Sequence, residues 1–115
     1  MEIRKVVVIG SGTMGSGIAA HLCNAGVPVT LLDLTTEISK KARERIHKSK
    51  PPLLLDKSKI NNINVGNIEE NFNVVKDADW VVEAVVERID IKHNIYEKIF
   101  KNRKKGAIVS SNTSS

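Results

Sequence analysis

The sequence predicts an α/β fold with a doubly wound, mainly parallel sheet that ends after about five strands. Three observations carry that expectation. Short β-branched apolar runs recur without polar alternation, as strands buried on both faces require. Between them lie stretches with apolar residues every three or four positions, the period of a one-sided helix. The two kinds alternate along the chain, so successive strands need crossovers, which are right-handed and leave the strands parallel. A chain of 115 residues fits one domain, residues 1–115.

The elements follow in order. Arg4–Ile9 reads as a buried strand. Met14–Ala25 reads as a helix, with Met14, Ile18, Leu22 and Ala25 on one apolar face and Gly26 in the place of a left-handed cap. Val29–Leu32 is the second strand, with Asp33 at its end. Thr35 or Thr36 can cap the next helix, and Glu37 suits its first turn. That helix runs to about Lys48, carries Lys40, Lys41, Arg43, Arg45 and Lys48, and is stopped by Pro51-Pro52. Leu53–Asn62 is compatible with a short helix. Asn64–Asn67 is a short third strand, and Asn71–Ala78 is a turn or a scrap of helix. Trp80–Val86 is the fourth strand. Ile89–Lys101 is a helix with Ile91, Ile95 and Ile99 on one stripe, and Ala107–Ser110 is the fifth strand.

Composition narrows the function classes. Apolar residues make up 41% and aromatics only 3%, so the core must be built from Val, Ile, Leu and Ala. The net charge of +5 admits nucleic acid, anionic small molecules or a solvated lysine-rich surface. The few aromatics are scattered, which argues against a stacking platform for single strands, and no nucleic-acid partner is expected. Cys23 is the only cysteine, so no intrachain disulfide forms. No apolar run approaches a membrane span, and no membrane partner is expected. The run behind Met1–Lys5 is too short for a signal peptide, so cytoplasm is the expected compartment.

The stretch VVVIGSGTMGSG places Gly10, Gly12 and Gly15 in the pattern G-x-G-x-x-G, after a strand and at the start of a helix. In that context each glycine has a task. Gly10 permits a tight turn, Gly12 lets pyrophosphate approach the backbone, and Gly15, with Gly17 behind it, lets helix and strand pack closely. Ser11, Thr13 and Met14 complete the loop, and the helix start offers free N–H groups to phosphate. Asp33 lies 23 positions after Gly10, near the usual spacing of about 20 for an acid that binds ribose hydroxyls. Leu34 and Thr35 follow it rather than arginine, which favours NAD over NADP. This is a Rossmann-type pattern.

With GSGTMGSGIAAHLCNAGVPVTLLD, DADWVVEAVVERIDIK and GAIVSSNTSS in view, the chain closely resembles 3-hydroxyacyl-CoA dehydrogenase. More narrowly, it resembles the long bacterial fatty-acid oxidation proteins that fuse this dehydrogenase to other activities. The resemblance implies oxidation of the 3-hydroxyl of an acyl-CoA with NAD as hydride acceptor. It implies that Met14 contacts the dinucleotide through its backbone and that Asp33 holds the adenosine ribose. Val85, Val86 and Glu87 would line the nicotinamide half, and Lys92 would reach toward cofactor and substrate. Ser114 would bond near the reacting 3-oxygen, as a catalytic group. Ser49 and the basic helix before it would meet the CoA phosphates. From the residues alone, Glu87 and Lys92 read rather as a surface ion pair, and Ser114 as a serine in a polar tail.

The family's general base is a histidine in a G-x-H-F-F-N-P stretch, paired with a glutamate. Neither occurs in these residues. His21, His47 and His93 all fall on predicted helices and read as surface or packing residues. A base that takes the hydroxyl proton contributes about a hundred- to ten-thousand-fold. Cofactor binding without turnover is therefore expected of residues 1–115 alone. The C-terminal helical substrate and dimerisation domain is expected to be absent from this chain, supplied by a C-terminal half or a homo-oligomer. Without it, the flank of the fifth strand would expose apolar surface. A non-catalytic dinucleotide-binding remnant is the alternative.

Overall fold

A computed structural model describes residues 3–85 and 89–111, with backbone alone at 89–92. Its strands are β1 (Val6–Ile9), β2 (Val29–Asp33), β3 (Ile63–Asn67), β4 (Trp80–Glu83) and β5 (Ile108–Ser111). Its α-helices are α1 (Thr13–Asn24), α2 (Thr36–Lys48), the single turn α3 (Ile68–Asn71) and α4 (Ile89–Asn102). Short 3-10 helices at Lys57–Asn62 and Phe72–Asp77 complete the connections. The sheet is parallel throughout, in the order β3-β2-β1-β4-β5. The chain winds outward from β1 to β3, then returns to the other side of β1 for β4 and β5. Between β1 and β4 the winding direction reverses, and a crevice opens there at the carboxyl ends of the strands.

The burial pattern explains why β1 lacks alternation. Val6 and Val8 face the layer formed by α1 and α2, while Val7 and Ile9 face the layer formed by α4 and the Phe72–Asp77 segment. All four are at most 2% exposed. Polar residues at either parity would be buried without partners, at a cost of about 1–3 kcal/mol each. Among the described residues the two core layers are built mainly from Val, Ile, Leu and Ala, with Cys23 and the aromatic Phe72 also buried.

Helix α1 corrects the expected apolar face. Gly15, Ser16, Ala19, Ala20 and Cys23 are the buried residues; Ile18 and Leu22 pack against the core only partly buried, and Met14 is 48% exposed. The cause is proximity. A Cβ added at Gly15 would lie 1.8 Å from the Gly10 carbonyl oxygen, so only small residues fit between this helix and the sheet. Gly17 is also corrected: a Cβ there would meet nothing within 4 Å, so it has no part in close packing. Cys23 donates to the Lys59 carbonyl at 3.0 Å, and burial pushes its thiol up from the ordinary range.

Thr35 caps α2, its hydroxyl oxygen accepting the Ile38 N–H at 3.2 Å. Ser39, Ala42 and Ile46 form the buried face of that helix. Strand β4 ends at Glu83 rather than Val86. The Ala84 N–H still donates to the Ile9 carbonyl at 2.8 Å, but the Val85 N–H turns to the Glu83 carboxylate at 2.5 Å and leaves the ladder. β5 is an edge strand, with Ile108 47% exposed. At the opposite end of the sheet, Asp79 accepts the N–H groups of Arg4 and Lys5 at 2.8 and 3.0 Å. Its bond to Lys104 at 2.5 Å, the largest influence, and those two amides hold its carboxyl down at about 2.

Candidate functional site

The site forms where β1, β2 and β4 end level with one another. Gly10 donates its N–H to the Leu32 carbonyl at 2.8 Å, the last sheet contact before the chain turns away. The turn has φ +106° at Gly10, and a Cβ there would press within 2.8 Å of the Ala84 backbone. A larger residue would therefore be strained and would push β4 away from the loop. At Gly12 the opposite holds: an added Cβ would meet nothing within 4 Å and would project into open space. That bare position caps α1. The helix's first bond runs from the Ser16 N–H to the Gly12 carbonyl at 2.8 Å, so the amides of Thr13, Met14 and Gly15 precede the ladder. No acidic residue lies in that first turn to compete for them.

Asp33 anchors this loop from β2. Its Oδ2 accepts the Ser11 N–H at 2.7 Å and also the Ser11 hydroxyl, while Oδ1 accepts the Leu34 N–H at 2.7 Å. A carboxylate offers about four acceptor positions, so Oδ1 keeps one for an incoming hydroxyl. Ser16 donates its hydroxyl to the Ser11 carbonyl at 2.8 Å from beneath.

One residue that sequence reasoning missed joins them. The Arg45 guanidinium donates to the same Ser11 carbonyl at 3.2 Å and lines the cleft that holds Asp33. No arginine follows Asp33 in sequence, yet one lines the same cleft. Helical spacing carries the signal: Ile38 and Arg45 are seven residues apart on α2, two turns, and both line the cleft. Of the other basic residues of α2, Arg43 donates to the Ile63 carbonyl at 3.1 Å, and Lys48 pairs with Glu44 at 3.3 Å in the open. Ser49 has a local task instead of an open one, accepting the Leu53 N–H at 2.8 Å.

The cleft has a volume of about 240 Å³. Gly10, Ser11, Gly12, Asp33 and Arg45 form its polar side, and Leu34, Ile38, Ile68, Ala84, Val85 and Ile95 its apolar side. Small-molecule sites usually span about 300–1,000 Å³, so this one would enclose only part of a dinucleotide. A second groove, about 840 Å³, lies between α1 and the β4 side of the sheet, lined by Met14, Ile18, His21, Leu22 and Trp80. Gly12 and Ala84 line both. Bare backbone, a helix start and a ribose-height carboxylate thus stand together, and they fit a diphosphate joined to a sugar.

Gly10, Ser11, Gly12, Asp33 and Val85 line one cleft, Thr13 and Met14 line the neighbouring groove, and Gly15 packs against Gly10 beneath the loop. Val86, Glu87 and Ser114 lie outside the described residues, as does the side chain of Lys92. His21, His47 and His93 all sit on helices. Among the described residues no helix is long and apolar enough to cross a membrane, and no cluster of His, Cys, Asp or Glu is placed to hold a metal ion.

Fold and site together define a dinucleotide-binding α/β domain. The family model for the NAD-binding domain of 3-hydroxyacyl-CoA dehydrogenase matches residues 5–115. The chain belongs to that family, and NAD is the cofactor of its domain. It is 45% identical to a Deinococcus radiodurans protein named as a 3-hydroxyacyl-CoA dehydrogenase, over 99% of this chain and 35% of that protein. It is 47% identical to a Rickettsia felis protein named as a trifunctional enzyme of a fatty acid oxidation complex, over 98% of this chain and 17% of that protein. The crystal structure of (S)-3-hydroxybutyryl-CoA dehydrogenase from Ralstonia eutropha superposes with a TM-score of 0.80 at 30% identity, covering 99% of this chain and 42% of that one. The chain thus spans well under half the length of these relatives.

Proposed function

We propose that this chain is the NAD-binding portion of an enzyme that oxidises L-3-hydroxyacyl-CoA to 3-oxoacyl-CoA in fatty-acid β-oxidation in the cytoplasm. The observation that carries this reading is the open space at Gly12, beside the first-turn amides of α1 and level with Asp33. In it, Gly10–Gly15 receive the pyrophosphate and the free acceptor of Asp33 takes a ribose hydroxyl. Val85, with Val86, Glu87 and Lys92 beyond it, borders the nicotinamide half. Ser114 stands near the substrate's 3-oxygen. Bound NAD supplies the hydride acceptor; the protein supplies position and charge.

The acyl-CoA, a helical C-terminal half and self-association complete this proposal. The base that accepts the substrate's hydroxyl proton belongs to the histidine stretch that these 115 residues lack. Residues 1–115 by themselves should therefore bind NAD and leave 3-hydroxybutyryl-CoA unoxidised. Calorimetric titration with NAD and NADP, and an NADH assay with that substrate, test both halves. Tighter binding of NAD with no NADH formed is expected. Equal affinity for both cofactors overturns the role of Asp33, and NADH at an ordinary enzyme rate overturns the need for the missing histidine.

A further inference from the structure

Glu83, the last residue of β4, is fully buried at 0% exposure. Among the described residues its carboxylate has two partners. Oε2 accepts the Val85 N–H at 2.5 Å, and Oε1 accepts the Ser111 hydroxyl at 2.9 Å. Neither partner is a cation. A carboxylate in such surroundings is costly, and it persists only where its oxygens are bonded. An apolar side chain of similar volume would fill the same space at lower cost. The carboxylate therefore asks for a task beyond filling.

We propose that Glu83 is a positioning residue for the nicotinamide end of the cofactor, an inference that rests on the NAD reading above. The geometry supplies the task. Glu83 and Ser111 are register partners, so the side-chain bond locks β4 to β5 at the very row where both strands end. The second bond fixes how the chain leaves β4, because it takes the Val85 amide out of the ladder. Val85 lines the cleft opposite Asp33, and the Ala84 backbone abuts Gly10. A dinucleotide with its adenosine ribose at Asp33 on β2 and its diphosphate at Gly12 must lay its other nucleotide toward β4. Glu83 thus shapes the surface under that nucleotide without touching it, acting through the Val85 amide and the end of β5.

Two ligands separate positioning from plain stability. ADP-ribose fills the adenosine and diphosphate half only, while NADH adds the nicotinamide. Wild type should bind NADH more tightly than ADP-ribose, with a blue shift of the nicotinamide emission. Glu83→Leu, which removes both acceptors, should weaken NADH about tenfold and erase the blue shift, with ADP-ribose affinity changed less than about twofold. Glu83→Gln keeps an acceptor for the Val85 amide and should recover part of the loss. If Glu83→Leu does not fold, Ser111→Ala decides, since it cuts one bond and leaves the core filled: about a threefold loss for NADH alone is expected. Parallel losses for both ligands, or no loss of NADH affinity, overturn the inference while the dinucleotide site stands. Failure of wild type to bind ADP-ribose at all overturns the site itself, and this inference with it.

Discussion

Asp33 and Glu83 are both carboxylates at the carboxyl ends of strands that flank β1, yet their situations are opposite. Asp33 is partly exposed, bonds to the next loop and keeps an acceptor position free. Glu83 is sealed in the core with each oxygen taken by a neighbour. Under the proposed function the first meets a ribose hydroxyl, and the second holds backbone. Exposure and spare acceptor capacity, not residue type, separate a binding acid from a positioning one.

The Asp33 side can be broken most severely at the loop that it holds. Gly12→Val should reduce NAD affinity at least about a hundredfold by filling the phosphate seat. The melting temperature should stay near wild type, because the new side chain meets nothing in the fold. Calorimetry and a thermal melt on one sample check both. A valine variant with unchanged affinity would remove the case for phosphate at that spot.

Asp33→Ser sharpens the contrast next. NAD should weaken about tenfold through loss of a charge-assisted bond. NADP should then gain, since Arg45 stands in the same cleft to receive a 2′-phosphate once the carboxylate is gone. Adding Arg45→Ala should cancel that gain. If NADP binds the double variant as well as the single one, Arg45 has no part in selectivity.

Neighbouring glycines of α1 give a smaller and purely structural test. Gly15→Ala would drive a methyl into the Gly10 carbonyl and should cost about 3 kcal/mol or more in denaturant unfolding. Gly17→Ala should instead gain about 0.5–1 kcal/mol, since its methyl enters open space within a helix. Destabilisation by both would mean that α1 packs differently from the description above.

The mildest effect comes from the far end of the sheet. The Asp79 carboxyl is depressed from its ordinary 3.8 to about 2, chiefly by Lys104. A depressed acid stabilises the fold above its unfolded value and loses that contribution as pH falls through its folded value. Lys104→Met should therefore shift the acid-unfolding midpoint upward between pH 4 and pH 2, as followed by circular dichroism, and leave the stability difference from wild type constant above pH 5. A difference that appears only below pH 2 and is absent above pH 5 would contradict the sign.

What was legible in the sequence is what operates over short range. The glycine spacing marked the turn, the bare position and the close approach, and the interval to Asp33 marked the strand-end acid that clasps the glycine loop. Strand and helix order followed from β-branched runs and periodic stretches. The face of α1 was misread because hydrophobic periodicity weighs bulk, whereas Gly15 sets a distance that admits only Ala, Ser and Cys against the sheet. The end of β4 escaped because WVVEAVV reads as one apolar run, and only the Glu83 side chain breaks it. Arg45 and the Glu83–Ser111 bond were hidden for a common reason: their partners lie 34 and 28 residues away, joined only after the strands pair.

The Asp33–Ser11 contact has a kinetic consequence. Because the carboxylate already clasps the glycine loop by its amide, the seat is shaped before any nucleotide arrives, and docking need not wait for the loop to order itself. Capture should then proceed at the pace of rigid encounter, about 10⁵–10⁷ M⁻¹s⁻¹. Loss of that clasp would slow arrival as well as hasten departure.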